Sequence, residues 1–303
     1  MYLYDIICRK FDLYETGTDT AVFLICVALC IIVPYLIGSI NPSIIISRKK
    51  YNEDIRSYGS GNAGTTNTLR TYGKKMAVLI LVLDMLKAAL ALFFGIFLLT
   101  RGVGGAIAAI FVVLGHMFPI YYKFKGGKGV ACTAICILIL SPVTFPIILA
   151  VFIIIAVLTR YVSLASIICA MLFPFLNYVF YVKEIDGKTV HTNPGITLAA
   201  LLIGALVVFM HRENMKRLME GKESKFSFKK TDKHKVGDES AANEPEAKAE
   251  PRKEKQYSDD DFVKCACGRI IPKSRAVCVY CGEENPAYVP REDDKKGRKK
   301  KSK

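Results

Sequence analysis

The sequence predicts an all-α membrane protein. Seven transmembrane helices, including re-entrant-like or half-length segments, precede a disordered charged linker and a small four-cysteine zinc-ribbon-like module. Three observations predict it. Of 303 residues 52% are hydrophobic, but charge is divided unevenly: residues 1–210 hold 17 Lys and Arg with 9 Asp and Glu, whereas the rest hold 25 and 18. The apolar part contains uncharged runs of bilayer length, which exclude a purely soluble fold and a wholly disordered chain. Lys and Arg fall on alternate connections between those runs, as in a multi-pass protein.

The first ten residues lack the pattern of a cleavable signal, and charge continues to Asp19, so the start reads as a short polar flank. The apolar runs are then 21–46 (broken late by Gly38 and Pro42), 76–100, 103–121, 130–140, 143–159, 162–182 and 195–210. The fourth run is too short to cross about 30 Å of hydrocarbon alone. It crosses if its helix starts at Gly126 or Lys128, with that polar start buried in protein or lining a wet cavity. Connection 47–75 carries seven Lys or Arg, 122–129 carries Lys123, Lys125 and Lys128, and the chain after His211 is strongly basic. The opposite connections carry little positive charge. The positive-inside rule puts the basic connections and the C-terminus in the cytoplasm, and with seven spans the N-terminus outside. Cys8, Cys26, Cys30, Cys132, Cys136 and Cys169 lie in or beside apolar runs or the N-terminal flank and read as small hydrophobic packing groups.

Polar chemistry concentrates on the cytoplasmic connections. Residues 58–69 read YGSGNAGTTNTL, a glycine-rich loop dense in hydroxyl and amide groups. Its G-x-G-x-x-G is not a dinucleotide motif, because no strand precedes it and a membrane helix follows. Glycines let backbone N–H groups approach a ligand and form an anion-binding nest. Residues 124–130 read FKGGKGV and open the short fourth helix, whose free N–H groups favour anions. Lys128 adds a full charge there. Ser163 and Ser166 in RYVSLAS (160–166) bring hydroxyls to the same face, and His211-Arg212-Glu213-Asn214 ends the last span. Cations and hydroxyls dominate and acids are few, so the composition suits phosphate and not a metal. Inside the second run, Asp84 and Lys87 stand at i,i+3 and read as an ion pair bracing helices; His116 is placed to orient a loop, or to act as a base.

Taken in order, GSI (38–40), DIRSYGSGNAGTTNTLR (54–70), GHMFPIYYKFKGGKGVA (115–131), RYVSLAS (160–166) and HRENMKRL (211–218) resemble the bacterial integral-membrane glycerol-3-phosphate acyltransferases that use acyl phosphate as donor. The resemblance covers about residues 35–221. It implies seven spans with a cytoplasmic active site. It implies acyl transfer from acyl phosphate to the sn-1 hydroxyl of glycerol 3-phosphate, giving lysophosphatidic acid and phosphate, without a catalytic cofactor or metal. It further implies catalytic roles for Ser60, Arg70, Lys128, His211 and Asn214. Asn62, Thr65, Asn67, Gly126, Gly127, Gly129 and Ser163 are implied in substrate binding. Cys132 stands where the family usually has Thr. Acyl transfer of this kind needs little beyond a positioned hydroxyl and neutralised charge, because the mixed anhydride is already activated.

The expected domain limits are 1–221 for the membrane acyltransferase, 222–260 for the linker, 261–289 for the zinc-ribbon-like module and 290–303 for a basic tail. The linker is rich in Lys, Glu, Ala and Ser and poor in aromatics. Cys265, Cys267, Cys278 and Cys281 form two pairs and read as ligands of one structural zinc ion, although the first pair is C-x-C. The basic tail reads as a solvated tail or as a contact for anionic lipid headgroups; no nucleic acid partner is expected, and the module's own partner is unspecified. Two other readings stay open: a polytopic transporter of a phosphorylated solute, and a membrane-anchored zinc-ribbon scaffold.

Overall fold

The computed structural model describes residues 2–11, 13, 18–185, 188–191, 194–226, 262–264, 270–272 and 284. The chain divides into two units, Met1–Ala241 and Ala242–Lys303. In the first unit, helix α1 (Leu3–Lys10) packs Leu3 and Tyr4 onto α2 (Asp19–Ser39), and Asn41 then opens α3 (Pro42–Tyr51). Asn41 Oδ1 accepts from Ile44 N at 3.1 Å, and Pro42 occupies the first helical position where no N–H is needed. That cap is the physical form of the break expected near Gly38 and Pro42.

Helix α4 (Thr65–Tyr72) leads through Gly73, at φ +85°, into α5 (Lys74–Leu98), and α6 (Gly104–Met117) returns beside it. Helix α5 shows how the sequence sorts its faces. Val78, Val82, Leu86, Leu90, Phe93 and Phe97 recur at helical spacing and are exposed, whereas Ile80, Asp84, Lys87, Ala88, Ala91 and Leu92 are buried. The apolar stripe therefore faces outward, as in a helix solvated by lipid. Helices α2 and α6 meet backbone to backbone. A Cβ on Gly38 would lie 2.3 Å from the Val112 carbonyl oxygen, and one on Gly115 2.2 Å from that of Tyr35.

Four further apolar helices follow: α7 (Val130–Leu140), α8 (Phe145–Thr159), α9 (Val162–Tyr181) and α10 (Pro194–Met210), then the short polar α11 (Arg212–Met219). Among the described residues four helical segments are long and apolar enough to cross a membrane: Asp19–Tyr51, Lys74–Leu98, Gly104–Tyr122 and Val162–Tyr181. A fifth is reached if α10 and α11, bent by 54°, count as one span. The molecule is thus a multi-pass membrane protein. All seven expected apolar runs are helical, but α7 and α8 fall short of the usual crossing length. The far end of α7 is closed by protein: the Arg101 guanidinium donates to the carbonyls of Ile139 at 2.6 Å and Leu140 at 3.3 Å.

Besides the helices, the described residues hold two short two-stranded hairpins. Strands β1 (Val182–Ile185) and β2 (Lys188–His191) pair antiparallel, Val182 opposite His191. The Asp-Gly at 186–187 in the sequence is a strong hairpin signal that the hydropathy pattern overshadowed. In the second unit β3 (Phe262–Lys264) pairs antiparallel with β4 (Ile270–Pro272). Cys265, Cys267, Cys278 and Cys281, the basic tail and most of the linker lie outside the described residues.

Contacts with the membrane unit continue past residue 221: Phe226 N donates to Arg160 O at 2.6 Å and Glu223 is buried. Composition concealed this, because one acid among lysines reads as solvated charge.

Candidate active site

Two glycine-rich loops meet at one end of the helices, and a polar frame holds them. Asp54 caps the 3-10 turn Ile55–Ser57 and grips Arg56 through both carboxylate oxygens, at 2.9 Å and 2.8 Å. The Arg56 guanidinium also donates to the carbonyls of Tyr122 at 2.9 Å and Lys125 at 3.0 Å. This bidentate partner holds the Asp54 carboxyl well below the usual carboxylate range. Arg56 thereby ties the loop before α4 to the loop before α7. The backbones touch directly as well: Ala63 N donates to Gly126 O at 3.4 Å.

Asn67, at the start of α4, turns inward. Its side chain accepts from Ser60 N at 3.0 Å and donates to the carbonyls of Tyr58 at 2.9 Å and Ile55 at 3.2 Å. A buried Asn with both N–H donors used this way shapes the first loop and has none left to donate to a ligand. Ser60 is exposed, with no hydrogen-bond partner for its hydroxyl among the described residues. Asn62 lies against Gly64, and the Thr65 hydroxyl is enclosed without a hydrogen-bond partner among the described residues.

The second loop carries its shape in glycines. Gly129 sits at φ +78°, the left-handed region, as the N-cap of α7, and a Cβ there would also strike Met117. Gly126 N and Gly127 N donate to the carbonyls of Met117 and His116, each at 3.1 Å. Lys128 projects from this loop and donates to Asn214 Oδ1 on α11.

A carboxylate stands at the centre. Glu223 accepts from Asn214 Nδ2 at 2.7 Å, Ser163 Oγ at 3.0 Å and Arg217 Nε at 2.8 Å. Burial pushes its carboxyl up, but the bonds from Asn214, Arg217 and Ser163 outweigh that and hold it below its ordinary value. Burial lowers the Lys128 ammonium to about 8, with Glu223 opposing and Arg217 and Arg70 reinforcing. Burial likewise pushes the Arg70 guanidinium down, with Glu223 opposing and Arg217 adding to the shift. The Arg70 guanidinium makes no hydrogen bond or ion pair among the described residues. Three cations therefore share one carboxylate, an excess of positive charge that a bound anion would neutralise. His211 Nδ1 lies 2.8 Å from Val207 O; a carbonyl only accepts, so Nδ1 carries the proton and Nε2 is left as an acceptor.

The structure thus brings Arg70, Lys128, Ser163, His211 and Asn214 to one end of the helices, with Gly126, Gly127 and Gly129 carrying Lys128. It leaves Ser60 at the rim and gives Asn67 to the loop. Arg56, Arg217 and Glu223 were not legible as site residues. Arg217 read as one more helix-exit cation and Glu223 as linker. Among the described residues the one grouping of three metal-type ligands is Asp84, His116 and Cys132, with the Lys87 ammonium 2.9 Å from Asp84 Oδ1.

The family model described as glycerol-3-phosphate acyltransferase matches residues 28–221. The chain is similar to a glycerol-3-phosphate acyltransferase of Thermoanaerobacter sp. (strain X514), 41% identical over 201 residues that cover 66% of this chain and 96% of that protein. It is 40% identical over 199 residues to one from Shewanella woodyi (strain ATCC 51908 / MS32), covering 66% of this chain and 93% of that one. The crystal structure of PlsY (YgiH), an integral membrane glycerol 3-phosphate acyltransferase, in its glycerol 3-phosphate form aligns with a TM-score of 0.60 at 34% identity, covering 66% of this chain and 96% of that chain. The lysophosphatidic acid form aligns with a TM-score of 0.58 at 32% identity, covering 67% and 96%.

Proposed function

The chain belongs to the glycerol-3-phosphate acyltransferase family, and from that premise we propose that it moves a fatty acyl group from acyl phosphate to the sn-1 hydroxyl of glycerol 3-phosphate at the cytoplasmic face of a bacterial inner membrane. Acylation of glycerol 3-phosphate is the activity carried by the family. The donor, the membrane and the orientation are our reading. What carries it is the convergence of Arg70, Lys128, Ser163 and Asn214 where the two glycine-rich loops touch.

In this reading the hydroxyl oxygen attacks the acyl carbonyl carbon, a C–O bond forms, and the bond from the acyl carbon to the phosphate oxygen breaks. Phosphate leaves with the electron pair. The hydroxyl proton passes to His211 Nε2 or to the departing phosphate. Lys128 and Arg70 hold phosphate oxygens, Lys128 as a point charge and Arg70 with its planar fork. Ser60, Asn62, Thr65 and Ser163 orient the polar ends of the reactants. Gly126, Gly127 and Gly129 let the backbone approach them. Asn214 orients the Lys128 ammonium. No step needs a metal or an organic cofactor. Seven crossings follow if α7 and α8 count as half-length spans, which places the C-terminus inside and the N-terminus outside by the charge of the connections.

Purified protein given palmitoyl phosphate and radiolabelled glycerol 3-phosphate is expected to yield labelled lysophosphatidic acid. Label remaining wholly in the water phase would defeat this reading. We also propose that Cys265, Cys267, Cys278 and Cys281 hold one structural zinc ion in the second unit, whose partner is unspecified, and that the basic tail meets anionic lipid. The full chain is then expected to carry stoichiometric zinc. Truncation after Phe226 should remove the metal and leave acyl transfer unchanged; truncation after Gly221 should not leave it unchanged, because it removes Glu223.

The pH profile tests Lys128. Its ammonium is charged below about 8 and loses its proton as pH rises through that value. kcat/KM, which reports the free enzyme, is expected to fall on an alkaline limb near pH 8. Lys128→Arg, at whatever rate it retains, should lose that limb, since guanidinium does not titrate there. A limb that stays in place in the variant assigns it to another group.

A further inference from the structure

Three ionisable side chains lie within the apolar helices, below the second loop: Asp84 and Lys87 on α5 and His116 on α6, all buried. Such groups are expensive in a bilayer interior. An ion pair within one helix, Lys87 Nζ to Asp84 Oδ1 at 2.9 Å, braces nothing beyond that helix. The other contacts of Lys87 do. Nζ donates to the carbonyls of Gly38 at 3.0 Å and Ile40 at 2.6 Å, where α2 breaks into α3, and stands 3.0 Å from His116 Nδ1. Asp84 Oδ1 is 3.3 Å from the same nitrogen. The one ring nitrogen therefore faces an ammonium and a carboxylate together.

Both loops hang from this cluster. On one side, Ile40 is followed by Asn41, whose Nδ2 donates to Ala63 O at 3.3 Å in the first loop. On the other, the His116 ring presses on the second loop: a Cβ at Gly127 would fall 2.1 Å from Nε2 and 2.8 Å from Ala63 O. Cys132, in the first turn of α7, adds a contact of 3.6 Å from Sγ to Asp84 O. The cluster lies one residue from Lys128 through Gly127.

We propose that Asp84, Lys87 and His116 are positioning residues for acyl transfer, setting the two glycine-rich loops at the separation that lets them share phosphorylated reactants. This rests on the acyltransferase reading above. The cluster touches no reactant; it acts through the backbone of residues 63 and 126–128. Uncoupled loops misplace Lys128 by a fraction of an ångström or more, and a misplacement of about 1 Å is enough for about a 10²-fold loss.

The test pairs kinetics with stability. Asp84→Asn combined with Lys87→Met removes both charges together, which leaves no unpaired buried ion. The expected result is a protein of near wild-type thermal midpoint in detergent, with KM for glycerol 3-phosphate and for palmitoyl phosphate each raised about 10-fold and kcat/KM lowered about 10²-fold. A helix brace alone predicts the reverse, a lowered midpoint with unchanged KM, and that result overturns the proposal. If the double variant does not fold, His116→Ala decides: raised KM values support positioning, and unchanged kinetics refute it. Gly127→Ala supplies an independent arm. Its methyl collides with the imidazole, so it should raise KM by itself, and adding His116→Ala should recover part of that loss instead of compounding it. Additive losses in the pair count against a shared contact. Absence of acyl transfer by the wild-type protein would defeat the functional reading, whereas an active wild type with indifferent variants defeats this inference alone.

Discussion

Lys128→Ala is expected to lower acyl transfer by about 10²–10³-fold, the usual effect of removing one preorganised donor to developing charge. The protein should still enter the membrane and keep its thermal midpoint, since Lys128 bonds only to Asn214 among the described side chains. Arg70→Ala should have an effect of the same order. Arg70→Lys should not restore it, because a point charge cannot replace a bidentate fork. The two sites share one group of cations, so the double variant should lose less than the product of the single losses. Near-normal rates in both purified single variants would remove the phosphate-binding role from this end of the molecule.

Glu223→Ala should act on the structure before it acts on the chemistry. It strips the carboxylate that receives bonds from Ser163, Asn214 and Arg217 and leaves Lys128, Arg70 and Arg217 facing one another. Breaking a buried charged partnership in this way costs about 3–5 kcal/mol, or about 10 °C in thermal midpoint for a domain of this size. Glu223→Gln keeps the shape and the bonds from Ser163 and Asn214 but not the charge, and should fall between the two. A midpoint unchanged in Glu223→Ala, with full activity, would show that the segment after α11 is dispensable.

These two residues differ in how much of them one dimension shows. Lys128 stands out in one dimension: a lysine between glycines, at the start of a helix too short to span, has few other uses. Glu223 has no such signal. It lies past the family's matched region, which ends at residue 221, in a stretch whose composition reads as solvated. Its partners are Ser163, 60 positions earlier, and Asn214 and Arg217 on the preceding helix. Asn67 differs from the sequence impression in the other direction. An amide in a glycine-rich loop looks like a ligand group, yet the loop's own carbonyls claim both of its N–H donors, and a loop N–H binds its oxygen.

By itself the sequence determined the membrane class, the position of every apolar helix, the two glycine-rich loops and the cations on them. Each follows from local composition: bilayer solvation selects long uncharged runs, and close backbone approach selects glycine. Only the tertiary structure decided which charges meet. Lys128 reaches Asn214 across 86 positions, Arg56 ties two loops, Arg101 closes the half-length α7, and Lys87 joins the break after α2 to His116. Such pairings depend on how the helices cross. In an interior where an unpaired charge is so costly, the partner a group finds is set by which backbones the packing brings near it.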